Sequence, residues 1–173
     1  ALYGPPKQKT SSRAERMQAA LMAVSPHLVH PVHMAMAAAT LDELAPGRVA
    51  LCVGTGVPGD LADAGVEPRR PLRALAETVE LVRALLSGES VAYKGELFRI
   101  RGRRLATGRH DIPIFLAVAR PRTLELAGAI ADGVVLSSAS SVEFVRWSLE
   151  QVARGARGRT LRRVGLVYTS VAE

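Results

Sequence analysis

Short, nearly continuous apolar runs alternate with longer amphipathic segments along most of the chain. A brief apolar run between breakers predicts a fully buried strand, and apolar recurrence at three and four residues predicts a helix with one buried face. Met17–Ser25 (MQAALMAVS) is the first such run, stopped by Pro26. Pro31 opens a helix in which Met34, Ala37, Ala38 and Leu41 recur at helical spacing, and Pro46-Gly47 ends it. Arg48–Val53 (RVALCV) predicts a second buried strand running into Gly54-Thr55-Gly56, after which residues 57–70 read as a polar excursion. Pro71 opens the clearest helix, with Leu72, Leu75, Val79, Val82 and Leu86 on one stripe and Gly88 just past its end.

Ser90–Ile100 holds two short β-like runs around Lys94-Gly95, which predicts a hairpin, and Arg101–Arg109 reads as a basic connector. Pro113–Ala119 (PIFLAVA) predicts a third buried strand, followed by a helix with Pro121 at its first position and Gly133 as its cap. Gly133–Ser138 is the fourth strand. Ser140 and Glu143 have capping-box spacing and open a helix with Val142, Val145, Leu149 and Val152 facing inward. Val164–Val171 (VGLVYTSV) is the fifth strand.

Apolar strands alternating with helices specify an α/β fold with a parallel sheet covered by helices. The strands finish in small polar residues: Ser25, Thr55, Ser137, Ser138, Thr169 and Ser170. In such folds the carboxyl ends of the strands carry the site, so these residues form a candidate rim. Ala1–Pro6 reads as the tail of an earlier strand, yet residues 7–16 lack the apolar stripe of a crossover helix. Missing segments are therefore expected before residue 1, near residues 6–11 and after residue 173 of this single partial domain.

Composition changes this picture little. With 173 residues, 48% hydrophobic and 23% charged, the chain has the make-up of one globular domain rather than a disordered one. No apolar run reaches the roughly 18 residues of a membrane helix, so no membrane partner is expected. One cysteine, Cys52, fits a reducing cytoplasm. The net charge of +7 raises nucleic acid as a partner, but 20 of the 23 basic residues are arginines scattered along the chain. Only seven aromatics accompany them, and nucleic-acid binding is not expected.

Gly54-Thr55-Gly56 at the end of a strand brings backbone close to a ligand, because glycine has no side chain to block approach. The run GTGVPG has neither the spacing of a dinucleotide fingerprint nor the lysine of a phosphate loop. His27, His30 and His33 crowd into seven residues without a carboxylate or cysteine at ligand spacing, so no metal is expected. Arg120-Pro121-Arg122 stands at a helix N-terminus, where free N–H groups and the dipole favour an anion. No catalytic triad or carboxylate pair stands out, and the chemistry falls to a bound cofactor.

His30-Pro31, the run Ala38-Ala39-Thr40-Leu41-Asp42-Glu43-Leu44-Ala45-Pro46-Gly47-Arg48, and Val53-Gly54-Thr55-Gly56 together resemble the bacterial-luciferase-like superfamily. Leu72–Thr78, Leu85–Glu89, Tyr93–Phe98, Pro113–Ala117 and Leu126–Leu136 agree in the same order, so the resemblance covers roughly residues 16–138. It implies a (β/α)8 TIM barrel, of which five or six strands are present. It also implies an oxidoreductase passing a hydride between deazaflavin coenzyme F-420 and a small organic substrate. FMN-dependent monooxygenation is the alternative, and a non-catalytic barrel-derived binding protein is the alternative outside enzymes.

On the same resemblance, Ala23, Val24 and Ser25 flank the cofactor ring, with a non-proline cis peptide near Met22-Ala23-Val24. Gly54, Thr55 and Gly56 match the cofactor-contacting turn, and Ala119, Arg120 and Pro121 match a phosphate-side loop. His27 and Ser137 face the substrate at the rim, and a homodimer is expected. The chain departs from the family pattern at Arg120, where glycine is common, and at Val57, where deazaflavin members often carry an acid.

Overall fold

A computed structural model describes residues 19–166. Five strands form one parallel sheet: β1 (Ala19–Val24), β2 (Val49–Gly54), β5 (Ile114–Ala117), β6 (Gly133–Leu136) and β7 (Arg162–Gly165), in the order β1-β2-β5-β6-β7. The connections carry α1 (Pro31–Leu44), α2 (Pro58–Asp63), α3 (Pro71–Leu86), α4 (Pro121–Ile130) and α5 (Val142–Ala156). The remaining pair, β3 (Val91–Lys94) and β4 (Arg99–Arg103), is a separate antiparallel hairpin. α1 packs on α3, α3 on α4 and α4 on α5, so one face of the sheet lies under a continuous helical layer.

The period of two along each strand sorts the two faces. Val49, Leu51, Val53, Ile114, Leu116, Val134 and Leu136 join the core shared with the helices. Ala50, Cys52, Phe115 and Val135 form a second buried cluster on the opposite face. β2 is buried at every position, which is why its sequence has no polar alternation.

Proline sets three helix starts as the sequence predicts, at Pro31, Pro71 and Pro121, where a missing N–H costs nothing. Other expectations are corrected. The excursion at 57–70 contains the short helix α2, which buries Leu61. α4 ends on Ala131, and Gly133 starts β6 instead of capping the helix. A Cβ at Gly133 would lie 2.7 Å from the Phe115 ring, so that glycine is set by strand packing. The cap of α5 is Ser141, whose oxygen accepts from the Phe144 N–H, while Ser140 bonds the Ser137 carbonyl at 2.8 Å. Val142, expected inward, is 66% exposed at the first turn of that helix. The early tail, the segment near 6–11, Thr169 and Ser170 lie outside the described residues.

The helices cross closely where side chains are absent. A Cβ at Gly128 would lie 2.0 Å from the Val152 carbonyl oxygen, and one at Gly155 would lie 1.8 Å from the Glu125 carbonyl oxygen. Arg159 then caps the end of α4, donating to the Ala129 and Ala131 carbonyls at 2.6 and 3.1 Å.

The hairpin is anchored by a buried carboxylate. Glu77 of α3 is 1% exposed and accepts from the backbone N–H groups of Glu96, Leu97 and Phe98 at 2.7, 3.0 and 3.1 Å. Arg73 completes the cluster at 2.9 Å. Burial by itself would raise this carboxyl; the three backbone donors and Arg73 outweigh it and hold the group below its ordinary value. Gly95 lets the turn approach, since a Cβ there would sit 2.2 Å from Glu77 Oε2. The Tyr93 hydroxyl donates to Glu80 at 3.0 Å and is pushed up to about 12, by burial first and then by that neighbouring carboxylate.

Candidate active site at the carboxyl ends of the strands

β1 reaches its carboxyl end through a bulge. Leu21 pairs with Leu51 but Val24 pairs with Val53, so β1 spends one more residue than β2 over that interval. Ala23 absorbs the extra length with φ at 45°, in the left-handed region. For a residue with a Cβ this costs about 1–2 kcal/mol and persists only where the surroundings impose it. The cis peptide expected near Met22-Ala23-Val24 is therefore replaced by a different device: the described residues contain no cis peptide, and the left-handed Ala23 turns the chain instead.

The turn after the bulge is tied to β2. Ser25, 4% exposed, donates from its hydroxyl to the Thr55 carbonyl at 3.2 Å and accepts from the His27 N–H at 3.3 Å. The Leu28 and Val29 N–H groups both return to the Ser25 carbonyl, closing a tight turn before α1. One small hydroxyl thus fixes the spacing between the ends of two adjacent strands.

Glycines let the neighbouring strand ends and α2 pack closely against this turn. A Cβ on Gly54 would lie 3.2 Å from the Ala117 carbonyl oxygen and 3.7 Å from the Ala23 Cβ. Gly56 has φ at 85°, and a Cβ there would meet Leu61 at 3.0 Å and the Ser25 hydroxyl at 3.1 Å. Beneath this floor Cys52 is fully buried, and burial pushes its thiol up against the weaker opposing pull of the Ala23 and Ala117 backbone. Sequence reading gave Cys52 no place at the site; its position two residues before Gly54 on an alternating strand was the available signal.

Two further groups complete the rim. His27 Nε2 is shielded from solvent without a hydrogen-bond partner, and burial lowers the ring's pKa, so the imidazole is neutral at about pH 7. On the neighbouring strand β5, which pairs Ala117 with Gly54, the chain runs through exposed Ala119 into the N-terminus of α4. There the Arg120 N–H donates to Thr123 Oγ1 at 3.3 Å, leaving the Arg120 side chain exposed at the helix start.

The structure thus brings Ala23, Ser25, Gly54, Thr55 and Gly56 into one constellation, with Val24 between the first two and His27 just beyond. Ala119, Arg120 and Pro121 stand one strand along. Ser137, exposed after β6, is a further strand away from Gly54. His30 serves the fold: it caps α1 by accepting from the Val32 N–H at 3.2 Å, and its ring meets Phe98 edge-on at 5.3 Å. Asp42 and His110, joined at 3.0 Å, lie at the opposite end of the sheet, where β2 and β5 begin, a position that serves stability.

Comparison with known proteins bears on the family and the fold. The family model described as luciferase-like monooxygenase matches residues 10–173. The chain is 32% identical over 120 residues to the 5,10-methylenetetrahydromethanopterin reductase of Archaeoglobus fulgidus, covering 69% of this chain and 36% of that protein. It is 35% identical over 113 residues to a glucose-6-phosphate dehydrogenase dependent on coenzyme F-420 from Nakamurella multipartita, covering 63% of this chain and 33% of that one. In structure it superposes, with a TM-score of 0.78 and 23% identity, on the tetrahydromethanopterin reductase dependent on coenzyme F-420 from Methanopyrus kandleri. That superposition covers 86% of this chain and 49% of the other. The chain spans about a third to a half of the length of these relatives. Its parallel sheet corresponds to part of a luciferase-like TIM barrel. With the family match running over all but the first nine residues, the chain belongs to the luciferase-like monooxygenase family.

Proposed function

We infer that this chain carries the cofactor side of an oxidoreductase that passes a hydride between deazaflavin coenzyme F-420 and a small organic substrate. The observation that carries the reading is the joined rim of β1 and β2. There a strained Ala23, a buried Ser25 and two glycines offer close backbone approach beside an unpartnered imidazole nitrogen. Relatives named as reductase and dehydrogenase, the latter dependent on coenzyme F-420, support the cofactor class.

The residues fit a flat polar ring. Gly54 and Gly56 expose main chain without a side chain at the strand end, held in place by close packing on Ala117, Leu61 and Ser25, and the neutral His27 nitrogen lacks a partner that a ligand can supply. The bound deazaflavin supplies the ring carbon that gives or receives the hydride. Ala23, Val24 and Ser25 form one wall and Gly54, Thr55 and Gly56 the facing turn, each preorganised by the Ser25–Thr55 bond. Ala119, Arg120 and Pro121 form the anion side, where a guanidinium and a helix N-terminus together attract phosphate. His27 and Ser137 meet the substrate, His27 as a neutral hydrogen-bonding group. A homodimer in a reducing cytoplasm belongs to the same reading; exposed Met36 and Leu44 on α1 are consistent with a partner surface.

Titration of the full-length protein with coenzyme F-420 and with FMN, followed by absorbance and fluorescence, tests this. Saturable change with the deazaflavin supports the reading. Change with FMN alone assigns the monooxygenase alternative, and binding without turnover across a panel of alcohols and reduced one-carbon carriers assigns a binding protein. No change with either cofactor overturns it.

A further inference from the structure

One stretch of the chain, the hairpin and the connector after it, concentrates basic residues. Residues 91–109 hold six basic side chains, Lys94, Arg99, Arg101, Arg103, Arg104 and Arg109, against one acid, Glu96. Their net +5 is most of the chain's +7. Glu96 is taken up by Arg70 and Arg73, so it neutralises none of the six. All six are exposed, and among the described residues none has an ion pair or side-chain hydrogen bond.

Within the hairpin three of these cations share one face. Lys94 lies directly opposite Arg99 in the antiparallel register, and Arg101, two residues on, points the same way. Like charges directly opposite in a sheet are destabilising. Charges that only protect a strand edge from aggregation can be spaced apart; here three stand together on one face. The small side chain of Ala92 forms the floor between them, and the result is a shallow concavity of about 290 Å³ lined by Ala92, Lys94, Arg99 and Arg101. Tyr93 and Ile100 complete its edge, and the Tyr93 hydroxyl is already engaged by Glu80.

We propose that this outer face of the hairpin is a binding site for the phosphate groups of a small, multiply charged phosphorylated ligand. Three cations lining one concavity favour a polyvalent anion over a single carboxylate, and arginine forks match phosphate oxygens two at a time. The concavity is at or below the size that encloses a whole drug-sized ligand, so it suits the charged end of a molecule. The concavity has a single aromatic at its edge, Tyr93, and not the succession of rings on which single-stranded nucleic acid stacks. The site is lined by hairpin residues alone, none of them part of the strand-end constellation, and it stands whether or not the oxidoreductase reading holds.

Isothermal titration of the full chain with inorganic pyrophosphate at about 0.15 M salt, where charges beyond about 8 Å are screened, is the test. The Arg99→Ala/Arg101→Ala pair is expected to weaken binding about tenfold or more, since each lost charge-assisted contact is worth about that factor. The Arg103→Ala/Arg104→Ala pair, equally basic but outside the concavity because β4 spends an extra residue between Ile100 and Arg103 and so sets Arg103 opposite Val91, is expected to bind within about twofold of the parent, since charge beyond direct contact is screened. Binding must also survive Arg120→Ala, which removes the anion position at the start of α4. Absence of saturable binding overturns the proposal, as does equal weakening by both arginine pairs or loss confined to Arg120→Ala. A single-stranded oligonucleotide that binds more tightly than pyrophosphate and is released by either pair also overturns it, in favour of an extended polyanion surface. Melting temperatures close to the parent's establish that the variants are folded.

Discussion

Replacing Glu77 by glutamine changes one atom in a buried cluster of four donors. Oε1 accepts from Glu96 N–H at 2.7 Å and Arg73 Nε at 2.9 Å, and Oε2 accepts from Leu97 and Phe98 N–H at 3.0 and 3.1 Å. An amide keeps one oxygen, so whichever way it turns, its NH2 group faces at least one backbone donor. The favoured orientation keeps the Leu97 and Phe98 bonds and sacrifices those to Glu96 and to the half-exposed Arg73. One charge-assisted bond lost and one buried donor left unsatisfied together cost about 2–4 kcal/mol. For a domain of this size that corresponds to a fall in Tm of about 4–16 °C. The pH dependence carries a sign. The folded carboxyl titrates below the unfolded value of 4.5, so the unfolded state binds the proton more readily. Its contribution is complete above that value and is lost as pH falls through the lower folded one. Urea denaturation of parent and Glu77→Gln at about pH 7 and again below about pH 4 reads both effects, with the gap between the two proteins narrowing in acid. Equal stability of the two at neutral pH, or a gap that stays constant into acid, refutes the assignment of this carboxylate as the ionised anchor of the hairpin.

Other sites give outcomes of different kinds. Gly155→Ala places a Cβ 1.8 Å from the Glu125 carbonyl oxygen and forces α4 from α5, so urea denaturation should show a loss of about 2–3 kcal/mol or more. Gly56→Ala combines a φ of 85° with contacts at 3.0 and 3.1 Å to Leu61 and Ser25. It should cost about 1–2 kcal/mol in stability, and titration should show a larger proportional loss of cofactor affinity, because the strain falls on the rim. Cys52, wholly buried with its thiol pushed up by burial, should resist a thiol-specific chromogenic reagent in the native protein and react at once in denaturant. Rapid native modification would place it at a more open site than the one described.

Much of the architecture was legible before any coordinates. The all-apolar runs from Val49 to Val53 and from Ile114 to Leu116 read as strands buried on both faces, and prolines at 31, 71 and 121 marked helix starts. Gly54-Thr55-Gly56 marked the turn at the end of β2. Glu77 was not legible: it lies mid-helix, beside Thr78 and among buried aliphatic residues, and apart from Arg73 its partners are backbone groups nineteen to twenty-one residues away. A backbone donor leaves no mark in a side-chain pattern, although the glycine at position 95 records the close approach that the carboxylate requires.

The sequence by itself determined the order and kind of the main elements, because hydrophobic period and proline placement act locally along the chain. Only the tertiary structure decided which ends meet. It gave Ala23 its left-handed turn through a one-residue register excess against β2, joined Ser25 to Thr55 across thirty residues, and left Val142 exposed despite its place in an amphipathic pattern. It also gathered Lys94, Arg99 and Arg101 onto one face of a folded-back ribbon. The physical reason is common to all four. Periodicity states which side of an element avoids water, but contact, strain and the convergence of charge depend on distances between segments, and those exist only once the chain has closed on itself.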